Sequence, residues 1–448
     1  MQRICFAVIF ALWCGVVAAQ EAGKVTWDFE KQTLGAEWTA GGKITATRAI
    51  GEPAQKPKAS HEGDAIPGGQ VATISAQPGA FFGLKKELPR VPWERVQRIS
   101  FWLSRSEEEA KRDPECEFDL FFLNANNKPV FSRKFVFKGS GWQQFEAPTL
   151  WIAPTTGRIG SWSGVQRFTL SFREESHLSL DAVQVDVAAQ PQAPVALEDI
   201  LPIAFPGVAP AAIKTAKRGG LVVATNATDC NPEKVAAILQ SLEKKIAADL
   251  PLGDSAVPPT LLIFATRDEY QKFPPRLAMR YGKDAAEPQS DGFTMLGWAT
   301  SSWDSQQGAE QPVFVHEFVH SLLERRLQIA NQGEWFQEGM ATFYQLQQYP
   351  QKNMGEVIQL GISREQYDLA AVTSGKHVSS NAFWQAATLC SLLLRDPSYA
   401  PKLKDLVAGF QREQSTALEP QLEPVLKVSF ERLTNDWKKH CREAWPVR

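Results

Sequence analysis

Methionine (5), cysteine, histidine and tyrosine (6 each) are scarce in this chain of 448 residues. Two of the cysteines, Cys5 and Cys14, lie in the first 14 residues. The other four, Cys116, Cys230, Cys390 and Cys441, form no close-spaced pair, which argues against a zinc ribbon or a redox Cys-x-x-Cys motif. Neither charge predominates, with 48 Lys and Arg against 50 Asp and Glu, so no overall field favours nucleic acid or an anionic membrane. After the N-terminus no apolar run approaches the roughly 20 residues that span a bilayer. There is no internal repeat, and 44% hydrophobic with 22% charged residues is ordinary globular composition, so disorder and fibrous classes are excluded. The length suggests two or three domains, each with a core of its own.

Residues 1–19 read as an export signal: Arg3 supplies the positive charge, Ile4 to Val17 the apolar stretch, and Val17-Ala18-Ala19 a small-residue cleavage site. Trp13 before Cys14 is too bulky for a lipoprotein signal. A secreted or periplasmic protein without a membrane span is expected. In such a compartment Cys390 and Cys441 could form a disulfide or remain buried thiols.

From residue 24 to 188 the pattern is strand-like. Cys116, Phe118, Leu120 and Phe122 alternate with Glu117, Asp119 and Phe121, the period of a half-buried strand. Similar runs at Arg98 to Leu103, Val130 to Phe137, Arg167 to Phe172 and Leu178 to Val187, separated by turn residues, predict an all-β sandwich. Through Trp27-Asp28-Phe29-Glu30, Gly141-Trp142-Gln143-Gln144-Phe145 and Leu180-Asp181-Ala182-Val183-Gln184-Val185 this part resembles a galactose-binding-like jelly roll. The resemblance implies carbohydrate as a possible partner, with Trp93, Trp151 and Trp162 as stacking faces. Core positions are the more common use of such residues.

Residues 189–219, rich in proline and alanine, read as a linker running into a packed lead-in. In 220–448 the period changes. Leu221 to Thr225 and Thr260 to Ala265 are short apolar strands, and Gly292 to Ala299 an edge strand. Asn231-Pro232 opens a helix with Val235, Ile238, Leu239, Leu242, Ile246 and Leu250 at helical spacing. Helices dominate from Val313, which makes this an α+β domain with its sheet first and its helices last.

The chemistry lies in Val315-His316-Glu317-Phe318-Val319-His320. Two histidines four residues apart share a helical face, so both can bind one Zn2+, with Glu317 beside them as general base. Chance yields such a motif in about 0.5% of chains of this composition. A structural zinc site has no use for the intervening glutamate. Catalytic zinc needs a third protein ligand. Seventeen residues separate His320 from Glu338, which lies in Gly333-Glu334-Trp335-Phe336-Gln337-Glu338-Gly339-Met340-Ala341. Trp335, Glu338, Gly339 and Ala341 fall in register with the glutamate-ligand helix of the gluzincin metallopeptidases, and this part resembles the peptidase-MA-like group among them.

That resemblance implies His316, His320 and Glu338 as zinc ligands, Glu317 as base and a protein or peptide substrate. Two neutral imidazoles and one carboxylate would leave zinc a net charge of +1, enough to acidify water and polarise a carbonyl. Glu334 is the second choice for the third ligand. The chain departs from the family in three places. No Gly-x-Met-Glu-Asn segment lies between Gly282 and Pro312, so an aminopeptidase is not implied. Phe383 stands where gluzincins commonly carry a tyrosine that stabilises the oxyanion, which leaves His377 as first candidate and Tyr344 and Tyr367 as others. Thr342 replaces the acidic residue that orients a zinc histidine in thermolysin-like enzymes. Arg325 and Arg326 could hold a substrate carboxylate or line a solvated helix face. A closing helix containing Phe430 to Trp437 reads as structural.

The expected protein is multidomain: an N-terminal all-β jelly-roll sandwich, then an α+β gluzincin-type metallopeptidase domain with a helical C-terminal part. Its expected function is exported, zinc-dependent peptide hydrolysis. The alternative is a carbohydrate-binding or scaffold protein whose zinc domain is weakly active or inactive.

Overall fold

A computed structural model describes residues 22–29, 37–50, 57–85, 91–155 and 162–447. The export signal expected at 1–19 lies outside the described residues.

Alternating apolar residues build two six-stranded antiparallel sheets packed face to face. The first runs Ile44–Ile50, Gln70–Ala76, Ser176–Val187, Val96–Arg105 and Gly141–Pro148, with Gly23–Trp27 also paired to Ser176–Val187. The second runs Ala153–Pro154, Pro129–Lys138, Glu115–Asn124, Val165–Phe172, Phe81–Leu84 and Trp38–Gly41. Cys116, Phe118, Leu120 and Phe122 all point into the core, as their period of two requires. There Phe118 meets Phe145 edge-on at 5.3 Å and stacks on Phe135 at 5.4 Å. Such pairs contribute about 0.5–1.5 kcal/mol beyond their buried area.

On the outer side of the first sheet the 57–69 segment buries Asp64. Its carboxylate accepts hydrogen bonds from Arg98, Lys24, Gln144 and Gln184, tying four strands to that segment.

The tryptophans named as sugar-stacking faces have other roles. Trp93 and Trp151 are buried, and Trp162 lies flat on Phe131 at a centroid distance of 4.2 Å. Trp151 meets Tyr281 of the second half edge-on at 5.3 Å and carries the Arg280 guanidinium over its ring. Large flat rings fill the gaps between sheet and sheet and between the two halves.

The second half holds a five-stranded sheet in the order Lys214–Arg218, Leu221–Thr225, Thr260–Phe264, Trp298–Ser302, Gly292–Met295. The three central strands are parallel and both edge pairings antiparallel. Leu221–Thr225 and Thr260–Phe264 are buried throughout because helices cover both faces. Leu221, Val223, Leu261 and Ile263 pack toward helices Pro232–Asp249 and Pro312–Leu322. Ala224, Leu262, Phe264 and Trp298 pack toward Arg267–Arg280. Asn231 caps its helix by accepting from the backbone N–H of Glu233 and Lys234.

The expected linker is largely built into this half. Helix Leu197–Ala204 buries Ile200 against the sheet, and Lys214–Arg218 is its first strand. The expected run to Ala299 is a hairpin, turned by Leu296 and Gly297, both at positive φ. Arg326 is paired with Glu243, and Cys390 and Cys441 are buried free thiols. The closing helix Phe430–Ala444 buries Trp437, whose indole N–H donates to Thr388 Oγ1. Among the described residues no helix is long and apolar enough to cross a membrane.

Candidate metal centre

The helix Pro312–Leu322 starts on proline, which suits a first helical position because its missing N–H is not needed there. It runs through the domain interior, with Phe314, Phe318 and Leu322 in the core. His316 and His320 project from one face, their Nε2 atoms 3.2 Å apart. A second helix, Trp335–Gln348, brings Glu338 to the same point, with its Oε2 3.4 Å from His316 Nε2 and 3.7 Å from His320 Nε2. Two zinc bonds of about 2.05 Å at a tetrahedral angle hold their donor atoms about 3.3 Å apart. The three donors are therefore spaced as one metal ion requires.

The hydrogen bonds behind the histidines set their protonation. Gln337 donates to the carbonyl of Ile329, which fixes its amide so that Oε1 faces His320 Nδ1 at 3.0 Å. That nitrogen must carry the proton, leaving the Nε2 lone pair free toward Glu338. Gln345 Oε1 does the same for His316 Nδ1 at 3.0 Å. Two lone pairs and a carboxylate converge with no donor among them, an arrangement that a cation satisfies. These three residues could hold a metal.

Glu317 is 6% exposed and stands apart from that triangle. Its Oε2 accepts from Thr294 Oγ1 at 2.7 Å, and burial raises its pKa. Thr294 belongs to the edge strand Gly292–Met295. A Cβ at Gly292 would sit 2.5 Å from Glu317 Cγ, so only glycine lets strand and carboxylate lie this close. Gly339 has a similar function: a Cβ there would meet the Ala386 carbonyl at 2.7 Å, and its absence lets helix Phe383–Arg395 close on the glutamate helix.

The other candidates separate clearly. Phe383 lies beside the cluster, its ring 6.4 Å from that of His316 and nearly parallel to it. His377 is exposed and pairs by backbone with Glu334 at the start of the glutamate helix, where its ring occupies the space over Gly333. Tyr344 points away, donating to Asp249 at 2.8 Å; it is six residues from Glu338, about 240° around the helix. Tyr367 packs on Trp437. Glu334 caps the glutamate helix by accepting from Gln337 N and is no part of the cluster. Thr342 is buried, its hydroxyl without a partner. Gln337, Gln345 and Thr294 were missed in the sequence. Only Gln345 carries a usable signal, because seven residues after Glu338 returns to the same helical face.

Replacing Gln337 with leucine should weaken metal binding about 10- to 100-fold, because His320 loses the group that fixes its tautomer. Competition for zinc against a chelator reads this directly; unchanged affinity would remove Gln337 from the site.

Searches found no family model and no curated protein that matches the chain. Among solved structures, the N-terminal sandwich resembles carbohydrate-binding modules. One is the family 11 module of cellulosomal cellulase Lic26A-Cel5E of Clostridium thermocellum, at 14% identity and TM-score 0.26, covering 38% of this chain and 97% of that one. Another is the CBM22-1 xylan-binding domain of Paenibacillus barcinonensis Xyn10C, at 14% identity and TM-score 0.26, covering 38% and 98%.

Proposed function

We propose that the protein is an exported zinc-dependent peptidase of the gluzincin type. The observation that supports this best is the convergence of His316, His320 and Glu338 at metal-binding spacing with a separate buried carboxylate, Glu317, beside them. Zinc held by those three residues would polarise a substrate carbonyl and acidify water. Glu317 takes the proton of the attacking water and passes it to the leaving amine. Thr294 holds that carboxylate in place through Oε2 and leaves Oε1 free. His377 is assigned to the developing oxyanion.

A peptide substrate suits the neighbouring strand. Gly292–Met295 ends its sheet, and among the described residues no strand pairs with its outer side. An extended peptide adding there would make backbone hydrogen bonds while passing Glu317.

A second reading is a carbohydrate-binding or scaffold protein with a weakly active or inactive zinc domain. Phe383 favours it, because its ring stands next to His316 and has no hydrogen to donate. Losing one oxyanion donor costs about 100- to 1,000-fold in turnover.

Purified protein should hold about one zinc per chain, lose it on Glu338→Ala, and cleave an unfolded protein in a chelator-sensitive manner. Zinc without cleavage over many substrates, together with glycan binding, would favour the second reading. No zinc after incubation with the metal would overturn the peptidase reading and leave the second.

A further inference from the structure

Arg325, outside the metal cluster, is 7% exposed. Its Nη2 donates to the Leu296 carbonyl at 2.9 Å, its Nε lies 3.4 Å from the Gly297 carbonyl, and its guanidinium covers the ring of Trp298 at 4.7 Å. Backbone carbonyls orient a guanidinium but do not neutralise it. Among the described residues no carboxylate lies within ion-pair distance of Arg325. The adjacent Glu324 is used elsewhere, accepting from the backbone N–H of Gly297 and Asn331. Burial, only partly offset by Glu324, brings the Arg325 pKa down to about 10. A buried cation without a counter-charge is costly, so the group that repays the cost is expected to arrive from outside.

The space for it is present. Arg325 lines a cavity of about 370 Å³ between the two halves, walled by Phe131, Trp162, Ile152, Tyr281 and Pro194, with Glu94 also on its lining. It also lines an adjoining, larger cavity of about 1070 Å³ that shares Pro194 and opens past Lys128, Arg412, Asp254 and Glu413, a rim of mixed charge. The inner walls are mostly aromatic and aliphatic, and that cavity is large enough for one or two amino-acid residues but not for a folded segment.

We infer that this interdomain cavity binds the C-terminal carboxylate of a peptide whose last side chain is apolar, with Arg325 as the carboxylate partner and the rings of Phe131, Trp162 and Tyr281 around the side chain. Glu94, on the same lining, is not within ion-pair distance of Arg325, so the guanidinium beside a mostly apolar wall matches an apolar residue with a free carboxylate. A neutral sugar has no group that needs the charge. The site shares no residue with the metal cluster, so it stands whether or not the peptidase reading does. If both hold, it is an exosite that retains peptides by their free ends.

N-acetyl-phenylalanine and its carboxamide are the probes, titrated into the full-length, metal-free protein by calorimetry or by the change in tryptophan fluorescence. The acid should bind about tenfold or more tightly than the amide, the usual worth of a charge-assisted hydrogen bond. Arg325→Met should abolish that difference, and Arg325→Lys should retain part of it. Equal binding of acid and amide would overturn the inference, as would no binding of either. Binding of glucuronic acid in preference to N-acetyl-phenylalanine would replace the peptide terminus by an acidic sugar. Should Arg325→Met fail to fold, the acid and amide pair on the unmodified protein still decides.

Discussion

Glu317→Gln is expected to lower peptide cleavage by about 100- to 10,000-fold while zinc stays at the level of the unmodified protein. The two effects separate because the donors that converge are His316, His320 and Glu338, with Glu317 outside the triangle they form. Glutamine preserves shape, and its amide oxygen can still accept from Thr294, so the helix and the edge strand should remain in place. What disappears is the only property that distinguishes carboxylate from amide here, the ability to take a proton from water and give it up again. Turnover, zinc content and melting temperature measured on the same sample test this together. A variant that keeps more than about a tenth of the activity would assign the base elsewhere, since general-base catalysis supplies at least 100-fold in comparable sites. Loss of zinc along with activity would mean that Glu317 binds metal.

Much of this architecture was legible from periodicity. The strands from Arg98 to Val187 alternate because one face of each meets the other sheet. His316, His320 and Glu338 were legible because helical spacing forces the first two together and the glutamate lies in a distinctive Glu-Gly-x-Ala setting. Residues whose role depends on tertiary context were harder to read. Gln337 looks like an ordinary polar helix residue until the Ile329 carbonyl turns its amide toward His320. Arg325 and Arg326 read as a solvated face, yet the helix widens into a π-type turn at Leu323–Leu327 before ending at Gln328 with φ 53°, and Arg325 is turned inward against Trp298. Tyr344 has the right chemistry and lies on the wrong side of its helix. The stretch 189–219 has the composition of a linker, but Ile200 and Phe205 dock on a sheet that composition does not reveal.

Asp64→Ala should destabilise the sandwich by about 3 kcal/mol, the lower end of the range for removing one partner of a buried ion pair. The lower end applies because Arg98, 13% exposed at its side chain, keeps Asp186 at 2.7 Å when Asp64 is gone. The pH dependence carries the sign. Burial alone would raise the Asp64 pKa, but hydrogen bonds from Arg98, Lys24 and Gln184 and the Arg98 charge outweigh it and hold the carboxyl far below its ordinary value of 3.8. A carboxyl depressed in the folded state contributes stability that is complete above its unfolded pKa, near 4, and is lost as the pH falls from there toward the folded value. The stability gap between the unmodified protein and Asp64→Asn should therefore be constant from about pH 7 to 5 and narrow steadily below about pH 4. Guanidinium titrations followed by tryptophan fluorescence at a series of pH values measure it, with the aromatic core around Phe118 and Trp93 as reporter. A gap that stays constant into acid, or that never opens at neutral pH, would show that the Asp64 cluster leaves the charged carboxylate no better off folded than unfolded.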